Sequence, residues 1–399
     1  MPDQPVLHIL CLSSYFKGAD FMRECKRQGC YVMLLTVERL AGYQWPRESI
    51  DELFLMPDFS DREALLNAVS YLARSRPIDR IAAMDDYDVE VAASLREHLR
   101  CPGMGETTAR LFRDKLAMRV QARDQGILVP PFVPVLNYAA LSSYMEAVPP
   151  PWVLKPRSEA SAVGIRKINE PEELWPVLDS LGDRQSHFLL EKYVPGDVFH
   201  VDAITYNGKI LFAEYHKYGS PPFDVAHYGG IFSSITLPSG PDKEALAELH
   251  GRVLEELNFV RGVTHTEFIK GYDGRFYFLE TAARVGGAYL FELVQASSGL
   301  NLWAEWARIE IAGGEAPYAP EPTRDLPAGL IISLARQEHP DTSAYNDPEI
   351  TWKLDEHSHA GLIVVSEDIR RVEELIADYT ERFMADFYAM QPALDKPSS

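Results

Sequence analysis

Only four cysteines, Cys11, Cys25, Cys30 and Cys101, occur in 399 residues, and no pair has CxxC spacing. A chain this long buries enough core to fold without cross-links, so a disulfide scaffold is excluded and a reducing cytoplasm is expected. Long apolar runs are also missing. Residues 6–12 are too few to span a bilayer and no basic stretch precedes them, so they read as a first strand and no membrane partner is expected. Basic residues are scarce, 39 Lys+Arg against 59 Asp+Glu for a net charge of -20. That excludes a broad phosphate-backbone footprint, so nucleic acid is not expected and any anion site must be local. Finally, no GxGxxG follows the first strand. The junction reads LSSYFKGADF, which argues against a nicotinamide-dependent oxidoreductase.

What remains is ordinary in composition, 46% apolar and 25% charged, and long enough for two or three domains. VLHILCL, an amphipathic stretch closed by Gly29, and YVMLLTV give strand, helix, strand. Ser60 and Glu63 resemble a capping box, and IAAM followed by DDYDVEVAASLREHL repeats the unit. The first hundred residues therefore predict an open parallel α/β domain. The acidic pair after IAAM reads as a helix cap at a strand's carboxyl end. From 152 to 278 strands dominate: WVLK, VGIRKI, HFLLEKYV, FHVDAITY, KILFAEYHK, GVTHTEFI and RFYFL, with helical stretches near 171–181 and 241–258. This is α+β, mostly antiparallel. Two similar runs, AGLIISL and AGLIVVS, and a helical 367–388 suggest a small C-terminal α/β cap. DEHSH at 355–359 reads as a polar turn.

The sharpest local signal is GVTHTEFIKGY, DG, RFYFLET, two alternating segments around a turn dipeptide. A two-residue turn at Asp273 and Gly274 sets Glu267 opposite Glu280; a four-residue loop slips them to a diagonal on the same face. Like charges so close call for a cation or a shared proton. Oxygen ligands, with at most His265 nearby, suit Mg2+ or Mn2+ beside substrate phosphates. Lys115 opens a helical stretch in RLFRDKLAMR. Lys155 ends the strand WVLK before PRSEASAVGI, a small-residue turn able to lie over phosphates.

Taken in order, RDK, VLKP with its small-residue turn, LLEKYVPGD, HTEF and FLETAAR resemble the ATP-grasp superfamily over residues 1 to about 315. The resemblance implies a Rossmann-like pre-ATP-grasp domain (1–108), a central ATP-grasp fold (109–315, its smaller part about 120–190) and a C-terminal domain (316–399). It implies that Lys115 and Lys155 contact ATP phosphates, that Glu191 and the backbone at Lys192 and Val194 hold adenine, and that Asp197 takes the ribose position, where the family usually has Glu. Glu267 and Glu280 would bind Mg2+ or Mn2+, Arg284 would face the acyl-phosphate and tetrahedral intermediates, and Gly286 and Gly287 would permit close approach. Two departures stand out: Ala282 replaces the usual Asn, and Glu159 and Ala160 replace small flexible residues.

The chemistry implied is ATP-dependent activation of a carboxylate as an acyl phosphate and its capture by an amine, with small-molecule acid and amine partners and a homodimer left open. FLETAAR resembles the amino-acid ligases that build dipeptides more than biotin carboxylase. A bicarbonate-using carboxylase or purine-pathway enzyme, and a nucleotide-binding protein without catalysis, are the alternatives. The Pro/Gly-punctuated stretch 213–234 is expected to line the acceptor pocket, with His216, Lys217 and His227 as candidates.

Overall fold

The computed structural model describes residues 6–159 and 163–390; residues 160–162, the centre of the expected phosphate turn with its Ala160, lie outside the described residues. Strands β1 (His8–Ser13), β2 (Tyr31–Val37), β3 (Glu52–Met56) and β4 (Arg80–Ala83) form a parallel sheet ordered β3-β2-β1-β4. The inner strands are continuous apolar runs because helices cover both faces. β3 breaks that rule. At the sheet edge it stays half-exposed, and its short ELFLM carries no strong period. Asp61, rather than Ser60, caps the helix Arg62–Leu72, accepting from the Ala64 N–H at 2.9 Å, while Ser60 bonds Asp58. The winding reverses between β1 and β4, so their carboxyl ends open the crevice where α/β sheets receive ligands.

A second sheet is antiparallel and small: β5 (Phe132–Pro134), β6 (Trp152–Pro156), β7 (Arg166–Ile168) and β8 (Phe188–Lys192), ordered β5-β8-β6-β7. The helices Tyr138–Ala147 and Pro171–Leu181 back it, packing Leu141, Leu174 and Leu178 on Trp152, Leu154 and Leu190.

The third sheet has eight strands: β9 (Gly196–Tyr206), β10 (Lys209–Tyr218), β11 (Phe232–Thr236), β12 (Gly262–Gly271), β13 (Phe276–Ala282), β14 (Ala328–Leu334), β15 (Ile350–Lys353) and β16 (His359–Val365). Their order is β13-β12-β9-β10-β11-β14-β16-β15. The segment expected as a separate C-terminal cap thus has no sheet of its own. β14 pairs with β11, Ser234 opposite Leu330, and the helix Ile369–Asp386 packs Val372, Ile376 and Phe383 over this end. β11 begins inside the 213–234 stretch, which folds as strand, short helix (Pro222–Tyr228) and strand rather than as one loop.

The carboxylate hairpin uses neither of the two turns considered from the sequence. Gly271 N–H donates to Arg275 O at 3.0 Å, closing a three-residue turn, Tyr272 to Gly274, with Gly274 at φ +78° where a side chain is disfavoured. This sets Phe268 opposite Phe278, one residue out of the two-residue register. A bulge at Leu279 then inserts one residue and restores Glu267 opposite Glu280. The Phe278 N–H, turned out of the ladder, donates to Leu128 O at 2.9 Å.

Candidate active site

A cleft of about 390 Å³ runs between the small and large sheets. Its walls include Lys115, Lys155, Glu191, Lys192, Val194, Glu267, Glu280, Arg284 and Gly287. Lys115 reaches it because Asp114 caps the helix Lys115–Asp124, accepting from the Leu116 N–H at 3.0 Å, and so fixes the first helical turn at the cleft mouth. The Lys115 ammonium donates to Glu159 O at 2.6 Å and lies 2.9 Å from Glu280 Oε2. One turn along the same helix, Arg119 donates from Nε to Glu191 Oε2 at 3.0 Å, and Lys155 contacts Glu191 Oε1. Burial would raise the Glu191 carboxyl; Arg119 and Lys155 outweigh it and hold the group below the ordinary carboxylate range. The hinge after β8 is pinned by Lys192 N–H to Pro131 O (2.8 Å) and Tyr193 N–H to Pro151 O (3.0 Å).

Glu267 and Glu280 each have one oxygen engaged. Tyr218 Oη donates to Glu267 Oε1 at 2.8 Å, Lys115 takes Glu280 Oε2, and the second oxygen of each makes no hydrogen bond among the described residues. Behind Glu267 lies a buried row: His265 Nε2 is 3.6 Å from Glu267 Oε1, and Asp202 accepts from His265 Nδ1 (3.0 Å) and His200 Nδ1 (2.8 Å). Burial opposes charge on His265, yet Asp202 and Glu267 push it up to about 10, so it is an imidazolium. Burial pushes His200 below the ordinary imidazole value, with Ser234 Oγ at 2.8 Å from its Nε2. Glu267 is correspondingly held below its usual range, against burial, by His265 and Tyr218. His265 Nδ1 is bonded to Asp202, and its Nε2 lies nearest Glu267 Oε1, the oxygen that already accepts from Tyr218. The two half-free carboxylates therefore make an oxygen site, and they fit Mg2+ or Mn2+. Ala282 stands opposite His265 and adds no third oxygen.

Arg284 follows β13 and lies on the cleft wall, donating to Val285 O and, across to the N-terminal domain, to Asp86 Oδ2, both at 2.9 Å. Gly286 is required by close packing: a Cβ there would lie 2.8 Å from Asp202 Oδ1 and 3.2 Å from His265 Nδ1.

Other candidates fall outside the cleft wall. Asp197 and Lys217 pair with each other at 2.7 Å on an exposed face. His216 is fully buried, stacked 4.8 Å from His200, and burial drives it well below the ordinary imidazole value. His227 rests on the helix Pro222–Tyr228 with its ring nitrogens toward Phe223 O and Ile165 O. The same helix does send Phe223, Asp224 and Val225 into the cleft. The sequence pattern does not single out Arg119, Asp202 or Tyr218, and it reads Asp86 only as part of a helix cap at a strand's carboxyl end. Arg119 had a signal, since four residues after Lys115 is the same helix face. Of the acidic pair, Asp85 is the cap, accepting from the Tyr87 N–H at 3.1 Å, whereas Asp86 belongs to the site.

Comparison with known proteins agrees with this architecture. Residues 148–292 match the ATP-grasp domain and residues 22–103 the ATP-grasp N-terminal domain. This is an ATP-grasp chain. It is similar to the L-arginine-specific L-amino acid ligase of Bacillus subtilis, 24% identical over 268 residues, 65% of this chain and 64% of that protein. It also resembles the D-alanine--D-alanine ligase of Neisseria gonorrhoeae, 25% identical over 186 residues, 45% of this chain and 59% of that protein. The ATP-grasp chain thus spans less than two thirds of the length of these curated relatives. Among solved structures, the L-amino acid ligase from Bacillus licheniformis superposes with a TM-score of 0.74 at 17% identity, covering 97% of this chain and 99% of that one. The N5-carboxyaminoimidazole ribonucleotide synthetase from Thermus thermophilus gives 0.72 at 18% identity, covering 96% and 99%. At these identities the likeness is one of fold. No helix among the described residues is long and apolar enough to cross a membrane.

Proposed function

We propose that this ATP-grasp chain is an ATP-dependent carboxylate–amine ligase whose substrates are amino acids. The observation that carries the reading is the meeting of Glu267 and Glu280 across two strands in one cleft with Lys115, Lys155 and Arg284. A carboxylate attacking the γ-phosphorus of ATP approaches a cluster of negative oxygens, and this cationic wall lowers that repulsion. A divalent cation held by Glu267 and Glu280 would supply further neutralisation of the phosphates. Lys115 and Lys155 meet phosphate oxygens, Lys192 and Val194 border the base, and Glu191 fixes Lys155 from behind. ADP leaves; the amine attacks the acyl carbon, phosphate departs and the nitrogen sheds a proton. Arg284 faces the charge that develops there. The resemblance to L-amino acid and D-alanine ligases favours amino acids on both sides of the new bond.

Mass spectrometry of products from pooled amino acids with ATP and Mg2+, alongside ADP and phosphate release, tests the reading. Amino-acid-dependent ADP release with a new amide mass is expected. ADP release with bicarbonate alone, or ATP binding without turnover on any acceptor, would refute it.

A further inference from the structure

A guanidinium is a plane, and two acceptors on different nitrogens are needed to fix its orientation. Arg284 has them. Nη1 donates to Val285 O and Nη2 to Asp86 Oδ2, each at 2.9 Å, while Nε is buried and has no hydrogen-bond partner among the described residues. The first acceptor is the backbone of the next residue and moves with the arginine. The second is independent: Asp86 stands 198 residues earlier, on the turn after β4, at the crevice of the parallel sheet. Asp86 is itself held, being buried, with Arg113 Nη1 at 3.8 Å from the same Oδ2.

We propose that Asp86 is a positioning residue for Arg284, fixing the guanidinium plane from the N-terminal domain so that Arg284 keeps one orientation on the cleft wall toward an anion in the cleft. What that anion is, an acyl phosphate or the tetrahedral species formed from it, rests on the ligase reading above. The hold by Asp86 does not. It makes the N-terminal domain part of the reaction centre, since the group facing the developing charge is aimed by a carboxylate from another sheet. A plane free to turn would misplace the donor by an ångström or more, which costs catalysis without touching nucleotide affinity.

The full-length chain with isotopically labelled arginine gives two readouts, with Asp86→Asn and Asp86→Glu beside Asp86→Ala because removing the carboxylate leaves Arg113 and Arg284 without their shared partner. NMR signals of the Arg284 guanidinium, assigned with Arg284→Lys, report rotation about its C–N bonds; steady-state assays report kcat, KM for ATP and amide formed per ADP. The expected result is slow rotation in the wild type, free rotation in Asp86→Ala, and kcat lowered on the order of tenfold to a hundredfold with KM for ATP unchanged. Asp86→Asn, which keeps an acceptor oxygen, falls between, and Asp86→Glu recovers part of the loss. Unaltered Arg284 signals in folded Asp86→Ala or Asp86→Asn overturn the proposal, as does free rotation with wild-type kcat, or a kcat loss matched by an equal loss of ATP affinity. If the wild type turns over no acid and amine pair, the ligase reading falls, and the NMR comparison still decides whether Asp86 holds Arg284.

Discussion

Glu280 is shared by two demands at the scale of the residue: one oxygen answers Lys115 at 2.9 Å, the other faces the cleft beside Glu267. Glu280→Gln keeps the shape and removes the charge, so ADP release at saturating ATP should drop by more than about a hundredfold, beyond the range of second-layer changes. A rise in the Mg2+ concentration needed for half activity should accompany it. Glu214 makes a different prediction. Burial pushes its carboxyl up to about 8, and the Ser297 hydroxyl offsets only part of this. The folded chain then keeps a proton that the unfolded chain has already lost, so stability is highest below the ordinary carboxylate value and falls as pH rises toward about 8. Glu214→Gln cannot titrate. Melting temperatures between about pH 5 and pH 8 should decline more steeply for the wild type than for this variant.

Among elements, the bulge at Leu279 decides the site. Without it the three-residue turn would set Glu280 one step out of register, on the wrong face from Glu267. Deleting Leu279 takes out the extra residue itself, so Glu280 falls opposite Glu267 in the unbulged ladder and Mg2+-dependent ADP release should survive in a protein that keeps its circular dichroism. Gly286 shows the same economy of space at the end of β13. Gly286→Ala drives a methyl against Asp202 and His265, and chemical denaturation should find it less stable by about 1–3 kcal/mol.

At the scale of the whole molecule, the C-terminal strands are structural partners of the grasp sheet. β14 closes the open edge of β11, and Ile331 and Leu362 share a buried cluster with Ile231. A chain cut after residue 326 should aggregate, as size-exclusion chromatography would report, and residues 316–390 alone should lack cooperative melting. The sequence by itself determined what repeats within a few residues: the apolar runs of β1, β2 and β4, the two alternating strands around the Asp273-Gly274 turn, and the order of motifs resembling the ATP-grasp superfamily, whereas the bulge at Leu279 that sets Glu267 opposite Glu280 belongs to the structure. Backbone geometry sets those periods locally, so composition and spacing carry them. Only the tertiary structure decided that Arg119 backs Glu191, that Asp86 reaches Arg284, that His216 is buried away from the cleft, and that the last strands extend an existing sheet. Such pairings depend on chain closure over tens to hundreds of residues and on which buried charge finds an opposite one, and no local period encodes either.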